Sequence, residues 1–327
     1  MSHVLITGGT GFLGKRLSLS LHAKGYTVTA IGRNQIVGEE LQDQGILFKS
    51  LDLTSKKAIK DLCKDIDSVI HCAALSSPWG AYQNFYEANV LLTRYLLEEA
   101  LDQKVTRFIH VSSPSIYCNG KNRLNIKESD PLPQVCINNY AQTKRLAEQE
   151  VDRAHAQGLQ TITIRPRGIF GKGDTSIFPR LLAANQKGFL PLINGGKARI
   201  DITHVNNVVE ALLLCLEASP KAFGKKYNIT NGDPRTLKEL LHLLCNASHI
   251  KMRAKKIPFS IAYITANLLE KVFPLFTKKE PPLTRYTVHL LTHSMTLDIE
   301  EAKKDLGYAP TTSIEEGIDE FAQSLHR

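Results

Sequence analysis

The chain of 327 residues carries six cysteines and not one Cys-x-x-Cys pair. Cys63, Cys72, Cys118, Cys136, Cys215 and Cys245 are scattered, which suggests neither a zinc site nor a disulfide framework. Cys72 and Cys215 sit in apolar runs and read as small buried thiols, so a reducing cytoplasm is the expected compartment. Basic residues are not interleaved with aromatics, and no nucleic-acid partner is expected. No Gly/Ser linker divides the chain, which argues against two independent domains joined like beads. Strand-like sequence begins at residue 3, leaving no room for a leader peptide. The most apolar stretch, between Pro258 and Pro274, holds Asn267, Glu270 and Lys271 and is too short and polar to span a bilayer.

What is present describes an ordinary globular protein, 43% apolar and 22% charged. Its net charge of +9 favours an anionic ligand, an acidic substrate or an anionic membrane surface. A solvated basic surface that suits a phosphate-rich cofactor explains the same balance.

The first motif is Gly8-Gly9-Thr10-Gly11-Phe12-Leu13-Gly14. A short buried strand, His3 to Thr7, precedes it and a helical pattern from Phe12 to Lys24 follows. This is the strand-turn-helix setting of a dinucleotide site. Gly8 permits the tight turn, Gly11 lets backbone approach a pyrophosphate, and Gly14 lets helix pack on strand. The helix N-terminus, with the N–H groups of Phe12, Leu13 and Gly14, offers donors and a positive dipole end to phosphates. A second strand, Tyr26 to Ile31, runs into Gly32-Arg33-Asn34. An NAD site usually places an acid here for the adenosine ribose, but none occurs before Glu39. Arg33 could pair with a 2′-phosphate instead, so NADP(H) is expected over NAD(H), unless Arg33 merely faces solvent.

The second motif is Tyr140-Ala-Gln-Thr-Lys144, four apart on a predicted helix reaching Ala156 and so on one face. Tyr140 could move a proton to or from a substrate oxygen while Lys144, if close, favours the phenolate. Upstream, the apolar strand Arg107 to Val111 feeds Ser112-Ser113-Pro114-Ser115-Ile116-Tyr117. The carboxyl edge of a parallel strand is where open α/β sheets bind ligands.

Glycine turn, serine and Tyr-x-x-x-Lys in this order resemble the extended short-chain dehydrogenase/reductase family. The resemblance implies an α/β fold, a Rossmann-type doubly wound parallel sheet with a smaller, mostly helical C-terminal cap. It implies Ser113 as the catalytic serine, from the pattern Ser-Ser-x-x-x-Tyr, with Ser112 and Ser115 as alternatives and Pro114 as a departure. After the third strand, Ile46 to Ser50, Asp52 and Leu53 would meet the adenine edge, although Asp52 could equally cap a helix near Thr54. Ala73 and Ala74, after the strand Ser68 to Cys72, would line the cofactor groove. Asn89, within a helix from about Phe85 to Ala100, would shape the active-site wall or else stand exposed. Pro166, in Arg165-Pro166-Arg167-Gly168, would run under the nicotinamide. Family members often pair through the helices around Asn89 and Tyr140, so a homodimer is an expectation.

The Rossmann domain is expected over 1–170, receiving further segments near 199–232. The cap is expected over 171–198 and 233–327. The tail, with Glu280-Pro-Pro-Leu-Thr-Arg-Tyr-Thr-Val-His289 and Leu306-Gly-Tyr-Ala-Pro310, resembles the 3β-hydroxysteroid dehydrogenase branch. That branch includes sterol-4-carboxylate 3-dehydrogenases and 2-alkyl-3-oxoalkanoate reductases. It implies a secondary alcohol or ketone on a small hydrophobic substrate, carboxylated or not. The stretch 258–279, flanked by Lys255, Lys256, Lys271, Lys278 and Lys279, is open to three readings: a membrane-surface helix, a lid over a greasy substrate, or a core helix. The rival functions are a nucleotide-sugar epimerase or dehydratase with retained NAD, and a non-catalytic NADP(H) sensor.

Overall fold

The computed structural model describes residues 2–277 and 279–325, so Lys278 lies outside the described residues. Seven strands form the main sheet: β1 (His3–Thr7), β2 (Thr27–Gly32), β3 (Leu47–Ser50), β4 (Ser68–His71), β5 (Arg107–Val111), β6 (Gln160–Pro166) and β7 (Lys226–Ile229). Their order is β7-β6-β5-β4-β1-β2-β3, and every neighbouring pair is parallel.

Parallel strands are covered on both faces, and the side chains show it. Val4 and Ile6 point into one core, with Leu17 of helix α1 (Phe12–Ala23) and Val208 and Leu212 of the helix Val205–Glu217. Leu5, between them, points into the other, with Leu96 and Leu97 and with Val151 of the helix Asn139–Ala156. The result is three layers, helix on sheet on helix. Because β1 is flanked by β2 on one side and β4 on the other, the order of connection reverses there. A crevice opens at the carboxyl ends of β1 and β4.

Helix α2 (Gln35–Asp43) follows β2, and α3 (Leu92–Asp102) precedes β5. The continuous helix expected from Phe85 is interrupted. Tyr86–Leu91 winds as one π-type turn before α3 begins. Helix α4 (Asn139–Ala156) starts where the Asn138 side chain accepts a hydrogen bond from the Ala141 amide at 2.8 Å. Helix α5 is Val205–Glu217.

The cap has a small four-stranded sheet built from Arg235–Thr236, Arg199–Ile200, Met295–Leu297 and Arg123–Ile126. Leu190–Ile193 and Ala254–Ile257 pair separately. Helices α6 (Phe259–Phe276) and α7 (Arg285–Thr292) lie beside them. Three boundaries differ from the sequence reading, the first being that Arg123–Ile126, within 1–170, lies in the cap sheet. Arg199–Ile200 joins the cap sheet, not the main one. Ile299, Leu306 and Tyr308 are buried in the core shared with β1 and α5, so the C-terminal stretch returns to the Rossmann side.

Candidate active site

Glycine geometry at the crevice is dictated by space. Gly8 has φ +69°, and a Cβ on it would come within 2.9 Å of the Ala73 amide nitrogen. A Cβ on Gly14 would lie 2.1 Å from the Gly8 carbonyl, and one on Gly9 2.7 Å from the Ala30 Cβ. The turn can therefore close only with glycine at these places. The amide of Gly11 donates to the Gly8 carbonyl at 2.9 Å, and Gly11 itself caps α1 without a side chain in the way. The first amides of α1 have no carbonyl one turn back, so they stand ready for an anion. This cradle fits the pyrophosphate of a dinucleotide.

Other expected cofactor contacts surround it. Gly32 ends β2 so close to the turn that a Cβ there would lie 2.1 Å from the Thr10 Oγ1, and Arg33 follows it, exposed. Glu39, the first acid downstream, lies inside α2, and its Oε1 accepts from the Gln35 side-chain Nε2 at 3.2 Å. Asp52 is exposed and its Oδ1 accepts from the Thr54 amide at 3.2 Å, a local turn bond, while Leu53 is buried in the core. Ala73 and Ala74 follow β4 at the mouth of the crevice, and the Ala73 amide donates to Thr7 Oγ1 at 3.3 Å. Pro166 is buried at the end of β6.

Asn89 is buried, turned inward by the π-type turn. Its Oδ1 accepts from the Leu75 amide at 2.7 Å, and its Nδ2 donates to the Leu75 carbonyl and to Thr143 Oγ1. It thereby ties the loop after β4 to α4. That loop carries Ser76, a residue the sequence reading missed.

Tyr140 is half-buried at the start of α4. Burial raises its phenol pKa above 10.0, opposed by hydrogen bonding from the Ser113 and Ser76 side chains. Ser113 is the serine beside Tyr140. Ser112 instead donates to buried Glu148 at 2.5 Å, and Ser115 Oγ is buried with no partner among the described residues. Pro114 opens a short 3-10 turn that the Ser113 side chain caps.

Lys144 lies one turn further along α4, and the Tyr140 phenol is shifted up by burial instead of down. The lysine side chain is buried and donates to the Val111 carbonyl at 2.8 Å, with the His110 Nε2 at 3.2 Å. Burial, then the Lys144 charge and then that of His71, holds His110 well below the usual 6.5, so its ring is neutral and accepts. Burial likewise lowers Lys144 from 10.5 to about 8, against the pull of Glu148 and Cys72. Unfolded lysine keeps its proton to higher pH, so raising pH from about 8 towards 10.5 relieves the cost of this buried charge. Dinucleotide binding should run the other way. We expect it to weaken above pH 8 by up to about tenfold per unit as the ammonium is lost, with the limb absent in Lys144→Met. A pH-independent affinity in the native chain would show that the charge does not face the dinucleotide.

In front of Tyr140 lies a cleft of about 430 Å³, walled by Trp79, Tyr263, Glu270, Arg285, Tyr286 and His289. The last five come from α6 and α7, so cap and Rossmann side chains both line the cleft. Arg285 Nε bonds Glu270 Oε2 at 2.6 Å. All six cysteines are free thiols.

A profile of the NAD dependent epimerase/dehydratase family matches residues 4–230, which take in the main sheet but for His3, and the Tyr140 region. The chain belongs to that family. Members bind a nicotinamide cofactor, and the group is the extended short-chain dehydrogenase/reductase class that the sequence resembles. The family member described here is 34% identical over 320 residues to the 4-hydroxy-2-methyl-3-oxo-4-farnesyl-3,4-dihydroquinoline-1-oxide ketoreductase of Stigmatella aurantiaca, covering 98% of this chain and 95% of the relative. It is also 34% identical over 321 residues to the 2-alkyl-3-oxoalkanoate reductase of Stenotrophomonas maltophilia, covering 96% and 97%. The UDP-glucuronic acid 4-epimerase of Bacillus cereus, solved with NAD, shares the fold with TM-score 0.79 at 20% identity over 99% of this chain and 98% of that one.

Proposed function

We propose that this family member interconverts a ketone and a secondary alcohol on a bulky apolar molecule, using NADP(H), with Tyr140 as the acid/base. The observation that carries this reading is Tyr140, which lines the cleft and whose phenol has the Ser113 and Ser76 hydroxyls as hydrogen-bonding neighbours. The nicotinamide, when bound, supplies or accepts the hydride. A phenol whose pKa is raised by burial stays protonated at neutral pH, which suits donation to a carbonyl oxygen. Hydroxyl groups of Ser113 and Ser76 can hold that oxygen as charge builds on it. Both relatives named above act on ketones of apolar molecules, and one of those is a carboxylate. A carboxylated substrate also suits the net charge of +9.

Preference for NADP(H) rests on Arg33, exposed beside the turn where an acid would serve NAD, and on Glu39 being engaged by Gln35. After removal of copurified nucleotide, fluorescence titration should show tighter binding of NADPH than of NADH. Arg33→Ala should weaken NADPH by about 10- to 100-fold, the loss of a charge-assisted contact, and leave NADH unchanged. Tightly retained NAD with no NADPH preference would favour instead an epimerase that returns the hydride to the same molecule.

A further inference from the structure

Helix α6 presents an apolar face to solvent. Ile261, Ile264, Leu268, Val272, Leu275 and Phe276 are 58%, 66%, 60%, 40%, 78% and 83% exposed. At 100° per residue these six fall within an arc of roughly 120°, in which Thr265 is the one polar side chain. The opposite face holds Ala262 and Ala266, the two residues of α6 that are fully buried, and turns Tyr263 and Glu270 to the cleft in front of Tyr140. A core helix would bury its apolar side chains. This one buries its alanines and exposes both isoleucines and two of its three leucines, so the core reading fails.

The surroundings are basic. Residues 251–280 contain seven lysines and arginines against two glutamates. Both glutamates are taken up within the protein, Glu270 by Arg285 and Glu280 by Arg180. Lys255 and Lys256 stand exposed on the strand that leads into α6, Lys271 borders the apolar arc, and Lys279 follows the helix, also exposed. Among the described residues no helix is long and apolar enough to cross a membrane. An amphipathic helix with lysines at its margins has the chemistry of one that lies in the plane of a bilayer surface.

We propose that α6 seats this protein on an anionic lipid bilayer, its outer face in the boundary between headgroups and acyl chains. The lysines beside it meet the anionic headgroups, and the inner face of the same helix walls the cleft. An apolar substrate dissolved in the bilayer then reaches Tyr140 past one helix without crossing water. This last consequence rests on the proposed ketone chemistry; the seating does not.

Sedimentation of the full chain with vesicles tests it. Vesicles of phosphatidylcholine with about a third phosphatidylglycerol should carry the protein down, and binding should fall by at least about tenfold on raising salt from 0.05 to 0.5 M. Ile264→Glu combined with Leu268→Glu should weaken vesicle binding by at least about tenfold while circular dichroism and NADPH affinity stay as in the native chain. Lys255→Glu with Lys256→Glu should lose the preference for anionic over neutral vesicles. Light scattering in solution gives the competing outcome. If the native chain is a dimer that the Ile264/Leu268 variant dissociates, a second copy covers the face and the proposal fails. It fails equally if anionic vesicles carry down no protein at low salt. Loss of ketone turnover with intact vesicle binding would overturn the proposed function and leave the seating in place.

Discussion

Tyr140→Phe should lower ketone turnover by about 10²- to 10⁴-fold while the protein stays folded and binds its dinucleotide with unchanged affinity. The range is that of a positioned proton donor removed from an otherwise complete site. Stability should hardly change, because the substitution removes one oxygen and strands no charge. The neighbouring hydroxyls have other company: Ser113 Oγ already accepts from the Ser115 amide at 3.2 Å, and Ser76 is exposed to water. The ring, which packs at 6.4 Å from that of Phe85, is retained. Single-turnover reduction with prebound NADPH isolates the proton step from product release. A variant that keeps its rate within a few-fold would remove Tyr140 from the role of acid. Ser113→Ala should cost less, since Ser76 can still address the same oxygen. The comparison of the two separates proton transfer from stabilisation of the oxygen.

The parts of this site that could be read from sequence are those fixed by local rules. A glycine at position 14 is needed because the next atom out would collide with the Gly8 carbonyl, and that collision is set within seven residues of chain. Tyr140 and Lys144 share a helix face because four residues make about one turn. What the sequence could not show is what these groups meet through space. Lys144 finds its acceptors on β5, more than thirty residues earlier, at the Val111 carbonyl and the His110 ring. Ser76 reaches Tyr140 from the loop after β4, at a position without a motif. Asn89 turns inward because the π-type turn at Tyr86–Leu91 adds a residue that a regular 3.6-residue repeat does not contain. In α6 the apolar, lysine-flanked stretch was legible, but composition does not say which face meets protein. The chain's return to the main core at Ile299 to Tyr308 likewise depends on packing partners at β1 and α5, which no local pattern specifies.

Glu148→Ala should destabilise the protein by about 3–5 kcal/mol, the effect of breaking a buried ion pair from one side. Glu148 and Arg165 side chains are 4% and 3% exposed. Glu148 accepts from Arg165 Nε at 2.9 Å, from its Nη2 at 2.6 Å and from Ser112 Oγ at 2.5 Å. Arg165 also bonds Tyr117, whose hydroxyl donates to Asn228 Oδ1 at 3.0 Å. Asn228 in turn donates to the carbonyls of Ile126 and Asp298, at the ends of two strands of the cap sheet. Removing the carboxylate thus leaves a guanidinium uncompensated at the junction of α4, β6 and the cap. It also removes the largest influence holding up the proton affinity of Lys144, one turn away on α4, so that the ammonium should be lost below pH 8. Two readouts should therefore move together: the urea midpoint falls, and the alkaline limb of dinucleotide binding shifts to lower pH. Glu148→Leu paired with Arg165→Met should recover much of the stability, since no charge then stays buried without a partner, yet it should not restore the limb. A single Glu148→Ala variant within about 1 kcal/mol of the native chain would mean that water reaches Arg165 and that the network contributes little. The network matters for function through position: it fixes Ser112 beside Ser113 and holds α4, which carries Tyr140 and Lys144, against the strand that ends at Pro166.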